Sequence, residues 1–282
     1  MRYNNIHTHS TYCDGKDTVE DMITSGIEKN FAILGFSSHA PMPFKNHFAI
    51  KNHQELTKYC NEVRLLAQKY LSQIKIYLSL EIDYIPSMTT SFDWFKKECD
   101  LDYTIGAVHL VKNNNNDLWF IDGGNTDIYD AGLRDFFDND IKKAVRTYFD
   151  QVNEMISTQR PDMVAHFDKI KMNNNNRFFL QSEQWYVDLI NETLDNIKAN
   201  NCVMEINTRG LYKKRHNALF PGMDIIKKAQ RLNIPMSLNT DAHHHSELDG
   251  YYKQSIVDLN KIGLSSLWYY DTNQWKEKTM KI

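Results

Sequence analysis

The chain has 282 residues, 41% of them hydrophobic, with a formal net charge of −3 and a pI near 6.4. That supplies apolar material for a substantial core, and the charge balance excludes a broad nucleic-acid-binding surface. No window approaches eighteen uninterrupted apolar residues, which argues against a membrane span, and Met1–His9 lacks the basic start and long apolar run of a signal peptide. The cysteines Cys13, Cys60, Cys99 and Cys202 are scattered without a CxxC pair and read as reduced thiols of a cytoplasmic protein.

In chain order, the pattern predicts short strands alternating with helices. Strands are expected at Asn4–His7, Ile33–Ser37, Ile76–Ile82, Leu101–Val108, Met163–His166, Cys202–Asn207 and Met236–Asn239. Thr18–Asn30 reads as the first helix, with Asp17 as N-cap and Glu20 completing a capping box. Further helices are expected at Asn52–Leu71, Phe92–Glu98, Asp140–Thr158, Ser182–Asn200 (capped by Ser182), Met223–Leu232 and Glu247–Ile262, from apolar steps of three and four residues. Three stretches fall outside the repeat: Pro41–Lys51, Lys112–Asn139 and Lys171–Gln181. The asparagine runs at 113–116 and 173–176 read as solvated turns. The alternation argues for a parallel sheet, and no linker or internal repeat divides residues 1–282, so one α/β domain is expected.

Potential metal ligands recur where these strands end. His7 and His9 stand at i and i+2 on the first strand, so both imidazoles face one side. His39 follows the second strand, Glu81 and His109 lie at the ends of the third and fourth, His166 ends the fifth, and Asp241 and His243 follow the last. Asp14 sits in the turn before Gly15. Only a closed barrel brings so many strand ends around one cavity. A nitrogen and oxygen donor set without sulfur suits zinc, manganese or iron(II), and nine candidates exceed one tetrahedral site, so two or three ions are expected.

The motifs His7-Thr8-His9-Ser10, Cys13-Asp14-Gly15, Ser38-His39-Ala40, Glu81-Ile82-Asp83, Gly106-Ala107-Val108-His109, Ala165-His166-Phe167-Asp168, Glu205-Ile206-Asn207-Thr208 and Thr240-Asp241-Ala242-His243 together resemble the polymerase and histidinol phosphatase (PHP) superfamily. Length and the Gly-x-Val-His and Glu-Ile-Asn-Thr signatures most resemble its histidinol-phosphate phosphatases. The resemblance implies a distorted (β/α)7 barrel holding three divalent ions. His7, His9, Glu81 and Asp241 would hold the first, His109 and His166 with bridging Glu81 the second, and Asp14, His39 and His243 the third. It further implies hydrolysis of a small phosphorylated metabolite, L-histidinol phosphate in histidine biosynthesis, by attack of a metal-bridging hydroxide. Glu81, Asp241 and His243 carry the catalytic roles, with Asp241 or His243 managing the leaving-group proton.

Phosphate also needs basic anchors. Arg209, Lys213 and Arg215 lie in the loop after Glu205–Asn207, and Arg209 is the first choice because a guanidinium grips two phosphoryl oxygens at once. Arg209 and Tyr212 depart from the family's usual residues, which leaves room for a shifted anchor or another substrate. Two other readings stand beside the phosphatase: a superfamily phosphodiesterase acting on another phosphate ester or nucleotide, and a metal-retaining regulatory module without turnover.

Overall fold

The computed structural model describes residues 2–280. The first part comprises β1 (Tyr3–Thr8), α1 (Val19–Glu28), β2 (Phe31–Phe36), α2 (His53–Lys69), β3 (Lys75–Leu78), β4 (Glu81–Asp83) and α3 (Phe92–Glu98). Next come β5 (Ile105–Ala107), the hairpin β6 (Leu110–Lys112) and β7 (Leu118–Phe120), then α4 (Thr126–Phe137), α5 (Ile141–Gln159) and β8 (Met163–Val164). The remainder comprises α6 (Lys171–Asn174), α7 (Gln184–Ala199), β9 (Val203–Asn207), α8 (Arg209–Tyr212), α9 (Met223–Arg231), β10 (Met236–Asn239), α10 (Tyr252–Lys261) and the hairpin β11 (Ser266–Asp271) and β12 (Gln274–Thr279).

The strands form two parallel sheets, ordered β1-β2-β3 and β10-β9-β8-β5-β4. The single run expected over Ile76–Ile82 breaks at Ser79-Leu80, so β3 pairs with β2 in one sheet and β4 with β5 in the other. Parallel bridges join the sheets at both edges, Thr8 with Ala242 and His39 with Glu81. Several strands are shorter than their apolar runs because polar groups take over the ladder. Asp102 Oδ2 accepts the Leu78 N–H at 2.7 Å, leaving β5 to start only at Ile105. His166 leaves β8 with a φ of 23°, and Asp241 follows β10 with a φ of 54°. Left-handed backbone at non-glycine residues is costly and persists where the surroundings fix it.

Local capping differs from expectation in two places. Thr18, not Asp17, caps α1: its side chain accepts from Asp21 N while Asp21 accepts from Thr18 N. Asp17 is diverted to the backbone N–H of His245. Ser182 does not cap α7, which starts after Glu183 without a side-chain cap bond. The run at 173–176 is only partly a solvated turn. Asn173 and Asn174 are buried; Asn173 Nδ2 donates to Ile121 O and Gly123 O, and Asn174 braces Phe178 and Phe179. The 112–139 stretch begins at the last residue of β6 and holds β7 and all of α4.

A large apolar cluster fills the space between helices and sheets, while a smaller one of Ile6, Ile33, Tyr103, Ile105, Ala107, Met163, Ala165, Val203 and Tyr270 lies among the strands. The β11–β12 hairpin, absent from the sequence expectation, packs Trp268, Tyr270 and Trp275 onto this inner cluster. Across it Tyr103 donates its hydroxyl to Ile6 O at 2.6 Å. Gly35 makes this possible, since a Cβ there would stand 1.8 Å from that hydroxyl and 2.9 Å from Ile6 Cα. Tyr103→Phe should therefore cost about 1–3 kcal/mol in urea unfolding, because the buried Ile6 carbonyl loses its partner. Gly35→Ala should cost more. Equal stability of all three proteins would contradict this account.

Candidate metal centre

All nine predicted ligands converge. His7 lies on β1 and His9 just beyond it, both fully buried; Glu81 opens β4; the others sit on turns after strand ends. Glu81 is the hub. Its Oε2 lies 3.2 Å from His7 Nε2, 3.3 Å from His9 Nε2 and 3.4 Å from His39 Nδ1. Its Oε1 lies 3.0 Å from His166 Nε2 and 3.8 Å from His109 Nε2. Asp241 Oδ1 stands 3.3 Å from His9 Nε2 and 3.4 Å from His243 Nδ1. Asp14, the most exposed member, places Oδ1 3.2 Å from His243 Nε2 and 3.8 Å from His39 Nε2.

Ligand atoms within 4.8 Å of one another fall into overlapping groups: His9, Asp14, His39 and His243; His7, His166 and Asp241; His7, His9 and Glu81. His39, Asp83 and His109 make another. The buried nitrogens His7 Nε2, His9 Nε2 and His39 Nδ1 have no hydrogen-bond partner among the described residues. Unpartnered buried polar atoms cost free energy, and three aimed at one carboxylate are the arrangement a cation would satisfy. The donor set therefore fits divalent metal.

The family model described as PHP domain matches residues 5–209. The chain belongs to the PHP domain family. It is 22% identical over 269 residues to the histidinol-phosphatase of Bacillus subtilis (strain 168), covering 92% of this chain and 99% of that protein. It is 23% identical over 327 residues to the histidinol-phosphatase of Saccharomyces cerevisiae, covering 100% of this chain and 95% of the yeast protein. The fold is similar to that of Lactococcus lactis histidinol phosphate phosphatase, crystallised with zinc, L-histidinol and phosphate: TM-score 0.68, 18% identity, covering 98% of this chain and 99% of that one.

Around this cluster lie residues that the sequence pattern did not single out as ligands. Glu205 Oε1 stands 2.6 Å from His7 Nδ1, and its Oε2 accepts from His166 N and Asn207 Nδ2, each at 3.1 Å. Asp83 Oδ2 stands 3.0 Å from His109 Nδ1, and its Oδ1 accepts the His109 N–H at 2.8 Å. Both were legible: Asp83 and Asn207 share a strand face with Glu81 and Glu205 at i, i+2. Asp122 and Lys169 carried no such signal. Buried Lys169 lies 2.6 Å from Asp122 Oδ2 and 3.8 Å from Asp241 Oδ2.

A cleft opens over the cluster, lined by Phe48, Phe120, Asp122, Lys169, Arg209 and Arg215 as well as by members of the cluster. Arg209 Nη1 donates to Asp241 O at 2.6 Å and to Tyr212 Oη at 3.2 Å, so it is committed to the wall. Arg215 is exposed, faces Gly124 across the cleft and has no ion-pair partner among the described residues. Lys213 is drawn 2.7 Å from Glu247 and is not part of the cleft lining.

Charge in the cluster is strongly coupled. Burial alone would lower His7, but Glu205, Glu81 and Asp241 outweigh it and carry its pKa up to about 10; burial likewise yields to Asp83 and Glu81 at His109, which reaches about 9. Burial would raise Glu81, yet His7, His39 and His109 hold it well below the carboxylate range. Against an unfolded value near 6.5, the His7 and His109 contributions are complete below that pH and are lost as pH rises through about 9 to 10. A dication supplies the missing positive charge and competes best once the imidazoles are deprotonated. Adding Mn²⁺ to chelator-treated protein should therefore raise Tm more at pH 8.5 than at pH 6; an equal or smaller rise at pH 8.5 would oppose it. Glu205→Gln and Asp83→Asn should each weaken metal affinity about 10–100-fold in competition with a chromophoric chelator. Wild-type affinity in both variants would remove the orienting role.

Proposed function

We propose that the chain is a divalent-metal-dependent phosphomonoesterase converting L-histidinol phosphate and water to L-histidinol and phosphate. Its scaffold in this reading is a distorted (β/α)7 barrel. The run of β1, β2, β3–β4, β5, β8, β9 and β10, with bridges at both sheet edges, supports that architecture. The observation that carries the functional reading is the cleft itself, where the imidazole–carboxylate cluster meets three cations, Lys169, Arg209 and Arg215. Such a site is built for a phosphoryl group.

His7, His9, Glu81 and Asp241 would hold one ion, His109 and His166 with Glu81 a second, and Asp14, His39 and His243 a third. Bound divalent ions would supply Lewis acidity there, lowering the pKa of a water and neutralising phosphoryl charge. Glu81, Asp241 and His243 keep their proposed roles in holding the ions and handling the leaving-group proton. Lys169 stays cationic: burial opposes its charge, but Asp122, Asp241 and Glu81 outweigh it. Arg215, exposed and without an ion pair among the described residues, is the phosphate anchor, and Arg209 is fixed in the cleft wall. Phe48 and Phe120 lie nearly parallel, 6.1 Å apart at 7°, and give the imidazole ring of histidinol an apolar face to rest on.

Phosphate release should be measured for L-histidinol phosphate beside a panel of small phosphomonoesters and a phosphodiester, with and without chelator. The expected result is the highest kcat/KM for L-histidinol phosphate, abolished by chelation and by His7→Ala or Glu81→Ala. Arg215→Ala should raise KM about 10–100-fold with kcat little changed. Efficient turnover of another monoester with histidinol phosphate untouched would overturn the substrate, and failure of the whole panel would overturn the enzyme.

A further inference from the structure

Outside the cleft, Asp17, His244 and His245 form a separate group whose ligand atoms also lie within 4.8 Å of one another. Asp17 lies three residues beyond Asp14, and the two imidazoles directly follow His243. Asp17 Oδ2 stands 3.0 Å from His245 Nδ1 and 3.8 Å from His244 Nε2, and accepts the His245 N–H at 2.6 Å. Donors on a tetrahedral dication with bonds of about 2.0–2.1 Å stand roughly 3.3 Å apart. The two separations bracket that value. The rings lie 4.1 Å apart at 33°, so both present an edge toward the same carboxylate. Side-chain exposures of 16% for Asp17, 36% for His244 and 48% for His245 leave the group open to an entering ion and its waters.

We propose that Asp17, His244 and His245 form a peripheral divalent-cation site that fastens the turn carrying Asp14 to the segment carrying His243. The contact it reinforces already exists, since Lys16 N donates to His243 O at 2.7 Å. Imidazole and carboxylate donors select zinc over magnesium or calcium. The site is weaker than the buried cluster for a specific reason. Ser246 N approaches His244 Nδ1 at 3.2 Å, which favours the tautomer with the proton on Nε2. Coordination through Nε2 moves that proton to Nδ1, where Ser246 Oγ, 2.7 Å away, accepts it.

The proposal is independent of the phosphatase reading, and binding alone tests it. Full-length protein saturated with Zn²⁺ and freed of excess by gel filtration is titrated with further Zn²⁺ by calorimetry and equilibrium dialysis. Wild type should take up one additional, weaker equivalent. The double variant His244→Ala/His245→Ala should lose it while keeping the tightly held zinc content, and Asp17→Asn should weaken it at least about tenfold. No additional equivalent in wild type, or an unchanged one in the double variant, would overturn the site. Loss of tightly held zinc in wild type would instead count against the central cluster.

Discussion

Glu81 is a carboxylate only 1% exposed, and no lysine or arginine pairs with it among the described residues. Removing such a charge from water costs several kcal/mol unless positive or hydrogen-bonding partners surround it. Its partners are five imidazoles, delivered from β1 and from the turns after β2, β5 and β8. They can reach one carboxylate only if those strand ends meet. The bridge between His39 and Glu81 is a direct part of that meeting, because Ala40 N donates to Glu81 O while His39 faces the carboxylate. Sheet closure and neutralisation of Glu81 thus depend on the same residues.

Around this hub, charge is arranged in shells of alternating sign. Two of the imidazoles that face Glu81, His7 and His109, turn their far side to Glu205 and Asp83, which fix ring orientation and make those nitrogens better donors. Further out, Lys169 answers Asp122 and Asp241, and Arg209 answers the Asp241 carbonyl. Every buried carboxylate in the inner shells therefore has a defined neighbour. Arg215, without an ion pair among the described residues, and exposed Asp14 lie at the rim, where water screens them.

The candidate ligands were legible because most follow a rule of position: an imidazole or carboxylate at the end of an apolar run. The helices were legible for a similar reason, and Phe92–Glu98 matches α3 at both ends. What escaped the reading depends on partners remote in sequence. Asp17 looked like a helix cap, but His245 claims it, leaving the cap to Thr18. The asparagines at 173 and 174 looked like solvent-facing turn formers, yet they satisfy carbonyls and amides of a loop fifty residues away and of their own turn. The terminal hairpin turns at Thr272-Asn273, both with positive φ, a conformation threonine rarely announces. Its aromatic residues are explained only by the inner cluster they cover.

The parts that would discriminate one phosphate ester from another sit on the least periodic segments. Asp122 and Phe120 come from the stretch after β6, held at its tip by Asn173 through Ile121 O and Gly123 O. Arg209 and Arg215 come from the loop after β9, whose base is closed by paired bonds between Asn207 and Phe220 and by the Lys171 ammonium on Leu219 O. Asp168 completes that base by accepting from Gly222 N and pairing with Lys171. These loops are braced by buried polar contacts, and Arg209 and Asp122 tie them to the turns that carry Asp241 and His109. In the proposed function, substrate choice rests on the placement of Arg215, Asp122 and the two phenylalanines more than on the nine candidate ligands beneath them.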